Sequence, residues 1–133
     1  MIEVGQELPA KRFPITRETL VRYAGASGDF NIIHWNERFA KEVGLPDVIA
    51  HGMLTMGLAI QVVTDWVDDP SRLLEYGCRF TRPIVVPDDG VGATLEVSGK
   101  VTSVDGDRAV VTLTAVSNEV TVLGKATATI RID

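Results

Sequence analysis

Two periodicities divide the chain. Up to Val67 the apolar positions recur at helical spacing; from Leu73 onward β-branched residues alternate with polar ones. Thr16 is placed to cap a helix over Arg17–Ala26, in which Leu20, Val21 and Ala24 lie at helical spacing. Ser27 to Trp35 mixes Gly, Asp, Asn and His and reads as a loop. Asn36 caps a short helix over Glu37–Val43 that Gly44 closes, and Leu45 to Ala50, with Pro46, is a connection. In Gly52–Val67 the apolar residues Met53, Leu54, Met56, Leu58, Ala59, Ile60, Val62, Val63, Trp66 and Val67 occupy nearly every face of a helix. That pattern predicts one long helix buried on most sides, ended by Asp68-Asp69-Pro70. Four strands are predicted beyond it, over Leu74–Thr81, Ala93–Val104, Arg108–Ser117 and Val120–Ile132. Pro83 to Gly90 is a turn-rich connection, and hairpin turns belong at Asp105-Gly106 and Asn118-Glu119. A long buried helix followed by about four antiparallel strands is an α+β arrangement, with the sheet curled round the helix.

Composition narrows this picture. The chain has 133 residues and is 45% hydrophobic, which suits one domain spanning residues 1–133. Such a chain buries roughly two thirds of its unfolded surface and needs no metal or disulfide staple. Its one cysteine, Cys78, has no internal partner, which suits a reducing compartment and a cytoplasmic location. The net charge is −5, from 13 Lys and Arg against 18 Asp and Glu. An acidic domain without a basic run is a poor partner for nucleic acid or an anionic membrane surface. The opening Met1-Ile2-Glu3-Val4-Gly5 is not a signal peptide. Gly52 to Val67 is interrupted by Gln61, Thr64 and Asp65 and is shorter than the roughly 20 residues of a membrane span. No linker, repeat or low-complexity tract divides the chain.

The densest set of reactive groups is Ser27-Gly28-Asp29-Phe30-Asn31-Ile32-Ile33-His34. On a straight helix Asp29 and His34 would point about 140° apart. In a loop they can converge on one small molecule, and Gly28 permits the tight turn before the Asp. A carboxylate beside an imidazole is an acid/base pair at neutral pH, and Asn31 adds an amide that can orient a water or a side chain. The competing reading is local: Asp and Asn in such loops commonly make Asx turns and helix caps. A second point of interest is Ala50-His51-Gly52-Met53, where the free N–H groups at the start of the apolar helix can meet an oxyanion. Taken alone, His51 reads as a capping or packing residue. Two His and one Cys match no zinc spacing, and neither a phosphate loop nor a nucleophile elbow is present.

The run Tyr23-Ala24-Gly25-Ala26-Ser27-Gly28-Asp29-Phe30-Asn31-Ile32-Ile33-His34, followed by Ala40, resembles the signature of the MaoC-like (R)-specific enoyl hydratases. Ala50-His51-Gly52-Met53-Leu54 resembles the second block of that family, and Val4-Gly5 and Phe80-Thr81-Arg82-Pro83 also fit. Ile32 departs from the pattern, which usually has Pro there. Within the family the chain is most similar to the catalytic B-type subunits of actinobacterial (3R)-hydroxyacyl-acyl-carrier-protein dehydratases. The resemblance covers essentially the whole chain. It implies a single hot-dog domain, an antiparallel sheet wrapped round a long central helix, usually dimeric.

It also implies a reaction: syn addition of water across a trans-2-enoyl thioester, or the reverse dehydration of a (3R)-hydroxyacyl thioester in fatty-acid metabolism. Asp29 and His34 would be the acid/base pair, Gly52 N–H the oxyanion donor, and Asn31 and His51 supporting groups, with no metal and no cofactor. Met53, Met56, Gly57 and Ile60 are the expected lining of an acyl slot, although ordinary core packing accounts for them as well. Arg79 and Arg82 are candidates by position for contact with the phosphopantetheine of CoA or of an acyl-carrier protein, although an exposed strand Arg is usually just a solvated face. The expected assembly is a homodimer, or a heterodimer with a second hot-dog chain, built by continuing the sheet across its edge. Two other readings are a hot-dog thioesterase that uses Asp29 alone, and one subunit of a paired complex. The presence of both Asp29 and His34 puts the chain on the catalytic side of any such pair.

Overall fold

The computed structural model describes residues 1–133. Six strands form one antiparallel sheet: β1 Glu7–Ile15, β2 Leu73–Phe80, β3 Ala93–Asp105, β4 Arg108–Ser117, β5 Val120–Thr121 and β6 Leu123–Arg131. Their order across the sheet is β1-β3-β4-β6-β2, with β5 paired to β4. The helices are α1 Arg17–Ser27, α2 Glu37–Glu42, α3 Gly52–Ala59 and α4 Gln61–Val67, with short 3₁₀ turns at Ile32–His34 and Pro70–Arg72. This is the α+β arrangement expected from the alternation of patterns. No helix is long and apolar enough to cross a membrane.

The core sits on one face of the sheet. Leu95, Val97 and Val101 on β3, Val111, Leu113 and Ala115 on β4, and Ala126, Ala128 and Ile130 on β6 alternate inward, while Lys100, Thr114 and Thr127 point to solvent. Helix α4 lies close over this face because Gly99 leaves room. A Cβ there would stand 3.4 Å from Val62 Cγ1 and 3.2 Å from Val111 Cγ1. Val62 and Val63, both fully buried, are worth about 1.5–3 kcal/mol each in apolar burial.

Strand β1 has no counterpart among the predicted elements. Its sequence carries Pro9 and Pro14, which disqualify a central strand, but β1 is an edge strand, where missing N–H donors do little harm. Its pairing with β3 shifts register between Leu8 and Lys11, across the first proline. The predicted last strand is interrupted. Asn118 and Glu119, with φ of 51° and 63°, form a two-residue left-handed turn into β5, and Lys125, with φ of 47°, marks an irregularity before β6 rejoins β4 at Ala126.

The predicted helix Gly52–Val67 is two helices. Tyr76 on β2 donates its hydroxyl to the Met56 carbonyl at 2.8 Å, and the Ile60 N–H reaches that same carbonyl at only 3.3 Å. A side chain competing for a carbonyl of the i to i−4 ladder is a recognised cause of a helix break. Nor is the segment buried all round: Met53 is 60% exposed and Gly57 is exposed, so α3 shows one face to solvent.

Gly92 joins the loop before β3 to the β1–α1 corner. Its φ is +74°, and an added Cβ would meet the Ile15 carbonyl and approach Thr16 Cα to 2.9 Å. Gly92→Ala is expected to destabilise the protein by about 2–4 kcal/mol. A denaturant titration checks this; an unchanged midpoint at constant slope would show that the close approach does not exist.

Candidate active site

Three segments meet beside the first turn of α3. The first leaves α1. Thr16 and Thr19 form a capping box at its start, and Gly28, at φ 77°, turns the chain left-handed at its end while donating its N–H to the Ala24 carbonyl. The loop beyond is built from side-chain to backbone bonds. Ser27 Oγ accepts from the Asp29 N–H at 3.1 Å, Asp29 Oδ1 from the Asn31 N–H at 3.1 Å, and Asn31 Oδ1 from the Ile33 N–H at 3.4 Å. The local reading of Asp29 and Asn31 as turn formers therefore holds. Asn31 caps the 3₁₀ turn that carries His34. Asp29 uses one carboxylate oxygen this way and stays exposed.

The second segment, Val48–Ala50, fixes His34. The buried His34 ring donates Nδ1–H to the Ile49 carbonyl at 2.7 Å. A carbonyl only accepts, so neutral His34 is the Nδ1–H tautomer and its Nε2 carries a free lone pair. The third segment brings His51. It is 1% exposed, donates Nε2–H to the Asp29 backbone carbonyl at 3.1 Å, stacks on His34 with ring centroids 3.9 Å apart, and meets Tyr23 edge-on at 4.7 Å. Its Nδ1 is buried without a partner. Burial is the chief force lowering the His51 pKa; the nearby His34 adds to it, and the bond to the Asp29 carbonyl opposes it. His51 is thus a neutral strut that ties the Asp29 loop to α3.

Ligating atoms of Asp29, His34 and His51 lie within 4.8 Å of one another. As a metal site the set is poor. His51 has spent Nε2 on a carbonyl, its free Nδ1 is fully buried and its ring is stacked on His34, so the accessible donors are the Asp29 carboxylate and His34 Nε2, short of the three or four protein ligands of a zinc centre. As an acid/base pair it is well arranged.

A cavity of about 350 Å³ opens beside these groups, lined by His34, Gly52, Thr55, Phe80 and Arg82 among others. Gly52 starts α3; neither its N–H nor that of Met53 finds an acceptor in the chain, and His51 supplies no cap. Phe80 packs on Gly52 so closely that a Cβ there would lie 3.2 Å from the ring. Arg82, Pro83 and Ile84 also line a larger cavity, about 790 Å³, between the Pro83–Pro87 segment and the ends of β3 and β4.

Of the residues singled out from sequence, the fold brings Asp29, Asn31, His34, His51, Gly52 and Arg82 to this region. It does not bring the rest to the cavity wall. Met53 and Gly57 lie on the exposed face of α3, Met56 receives the Tyr76 hydroxyl, Ile60 packs against the core at the helix break, and Arg79 is exposed on β2 opposite Gly124. Phe80 and Thr55 are lining residues that sequence reasoning passed over, although Phe80 stands in the quoted Phe80-Thr81-Arg82-Pro83 segment.

The family profile of the MaoC like domain matches residues 2–121. The chain belongs to the MaoC-like domain family. Its relatives include 3-hydroxyacyl-thioester dehydratase X of Mycobacterium tuberculosis, 39% identical over 79 residues, which are 59% of this chain and 27% of that protein. A solved MaoC-like dehydratase superposes with a TM-score of 0.95 at 42% identity, covering 99% of this chain and 41% of the other. A chain of the ChsH1–ChsH2 complex of Mycobacterium tuberculosis superposes with a TM-score of 0.86 at 25% identity, covering both chains in full. This MaoC-like chain thus spans about a quarter of the first relative and well under half of the first structure. Its fold is the hot-dog fold of the family.

The neutral state of His51 has a consequence for stability. Above pH about 6.5 folded and unfolded chains both carry it uncharged. As the pH falls from there through the lower folded value, only the unfolded chain binds the proton, so stability is lost on acidification. The thermal midpoint is expected to fall below pH about 6.5, and His51→Gln, whose amide keeps a donor to Asp29, is expected to flatten that fall. A wild-type slope in the variant would place the acid sensitivity elsewhere.

Proposed function

We propose that the chain hydrates trans-2-enoyl thioesters and, in reverse, dehydrates (3R)-hydroxyacyl thioesters. The observation that carries this reading is the exposed Asp29 carboxylate lying within 4.8 Å of a His34 ring nitrogen, with His34, whose Nε2 is free, and Gly52, whose N–H is unbonded, together in the wall of one cavity. A water held between carboxylate and imidazole is activated for attack on the β-carbon. His34 Nε2 takes one water proton as the C–O bond forms, and the pair returns a proton to the α-carbon. Negative charge gathers on the thioester oxygen in between. The Gly52 N–H at the positive end of α3 is the donor for it, and such donors are typically worth 10²–10³-fold in rate. Asn31 and His51 hold the loop that carries the acid/base pair. The chemistry calls on this chain for no cofactor.

The thioester is carried by CoA or an acyl-carrier protein, with Arg82 at the cavity mouth for its phosphopantetheine. The working unit contains a second hot-dog chain, the same or a different one. The two-chain complex among the similar structures supports this, as do the unpaired outer edge of β2 and the exposed Met53 and Gly57. A partner wall there would supply the acyl slot that Met53, Met56, Gly57 and Ile60 do not form within one chain.

Loss of enoyl-thioester absorbance from crotonyl-CoA and from a long-chain trans-2-enoyl-CoA tests the reading. Asp29→Asn and His34→Ala are each expected to lower turnover by 10²–10⁴-fold with the fold intact. Release of free thiol instead of hydration would assign the site to a thioesterase and overturn the proposal.

A further inference from the structure

Arg17 stands where a helix tolerates a cation least. It is the first residue of α1, at the positive end of the helix dipole. Its side chain is only 22% exposed and turns away from α1, and every donor it commits serves the connections around the site. Nε donates to the Val86 carbonyl at 2.7 Å, and Nη2 donates to Asp47 Oδ1 at 2.8 Å. Glu37 on α2, itself bonded to Lys41, lies 3.7 Å from Nη2.

Those contacts close a ring. Asp47 Oδ1 also accepts the Val48 N–H at 2.7 Å. The Val48 carbonyl accepts the Val86 N–H, and the Ala50 N–H reaches the Ile84 carbonyl, both at 2.9 Å. Residues 48–50 and 84–86 therefore run as a two-rung ladder outside the main sheet, with Arg17 clamping its open end to Asp47 on one side and Val86 on the other. Between the rungs stands Ile49, whose backbone faces the other way. Its N–H donates to the Ile33 carbonyl at 3.2 Å, and its carbonyl takes the His34 Nδ1–H at 2.7 Å. The one bond that sets the His34 tautomer thus ends on a connecting segment whose position depends on the Arg17 clamp.

We propose that Arg17, acting through Asp47 and the Val48–Ala50 segment, is a positioning residue that holds the Ile49 carbonyl on His34 Nδ1 and so keeps His34 Nε2 free and aimed at the substrate. Arg17 touches no reacting atom. The planar guanidinium is needed because a single group must serve a backbone carbonyl and a carboxylate at once, which the point charge of lysine does not reproduce. The consequence for catalysis rests on the role given to His34 above; the consequence for the tautomer does not.

The chain has only two histidines, so ¹⁵N-histidine labelling of the full protein reads the tautomers directly through long-range ¹H–¹⁵N correlations. In the wild type His34 is expected as the Nδ1–H form. In Arg17→Gln it is expected to become a mixture of tautomers, and Arg17→Lys is expected to restore it only in part. Asp47→Asn, which keeps an acceptor for the Val48 N–H but removes the ion pair, should act in the same direction and serves if Arg17→Gln does not fold. Lys11→Met removes the 2.6 Å Lys11–Asp65 pair between β1 and α4, away from the site, and should leave His34 unchanged. On enoyl-thioester substrate, kcat is expected to fall about ten- to hundredfold in Arg17→Gln with KM within about twofold, the size of loss that a small misplacement produces. A His34 that stays purely Nδ1–H in folded Arg17→Gln and Asp47→Asn overturns the proposal. So does a tautomer change that Lys11→Met produces equally. If the wild type shows no hydration at all, the functional reading fails, while the tautomer comparison still decides the role of Arg17.

Discussion

A buried imidazole that keeps one nitrogen free has to commit the other, and in this chain the commitment is a single bond from His34 Nδ1 to the Ile49 carbonyl. Much of the site geometry follows from that requirement. Ile49 lies in a connection, which by itself has no reason to hold still. It is held because its neighbours Val48 and Ala50 pair with Val86 and Ile84, and because Arg17 and Asp47 close the end of that pairing. The Asp29 loop is anchored in turn by His51, which spans from the start of α3 to the Asp29 carbonyl and fills the space against His34 and Tyr23. Loop residues are thereby given the precision usually found on strands and helices.

The electrostatics are arranged with equal economy. Two stacked imidazoles cannot both charge without mutual repulsion, and the deeper one is kept neutral chiefly by burial. The chain is acidic overall, yet the cavity wall carries Arg82, and the uncapped N-terminus of α3 adds a partial positive charge beside Gly52. The cavity therefore presents fixed dipoles and one cation to any negative charge placed in it. Phe80 narrows the space over Gly52, so that a side chain at that position would have to displace the ring.

The local elements were readable because their causes are local. Thr16 and Asn36 cap the helices they precede, Gly28 and Gly44 turn left-handed after them, and β3 and β4 alternate as written. What failed to read had distant causes. Pro9 and Pro14 hid β1, whose tolerance for proline comes from its place at the sheet edge. The break at Ile60 comes from the Tyr76 hydroxyl, 20 positions away from Met56. The predicted single helix over Gly52–Val67, which carries Met53, Met56, Gly57 and Ile60, is two helices in the structure, with Met53 60% exposed.

By itself the sequence determined the residue types of the site, the caps and turns that bracket them, the acidic charge, and the motif that places the chain in its family. Asp29, Asn31 and His34 were legible as a cluster, and their Asx turns were legible too. The tertiary structure alone decided that Asp29 and His34 converge, which histidine faces the cavity, which of its nitrogens is free, and which residues form the wall. The physical reason is the reach of the deciding bonds. His34 to Ile49 spans 15 positions, His51 to Asp29 spans 22, and Arg17 to Val86 spans 69. Each is a directional bond between segments far apart in the sequence, so each partner is chosen by the packing of the whole chain.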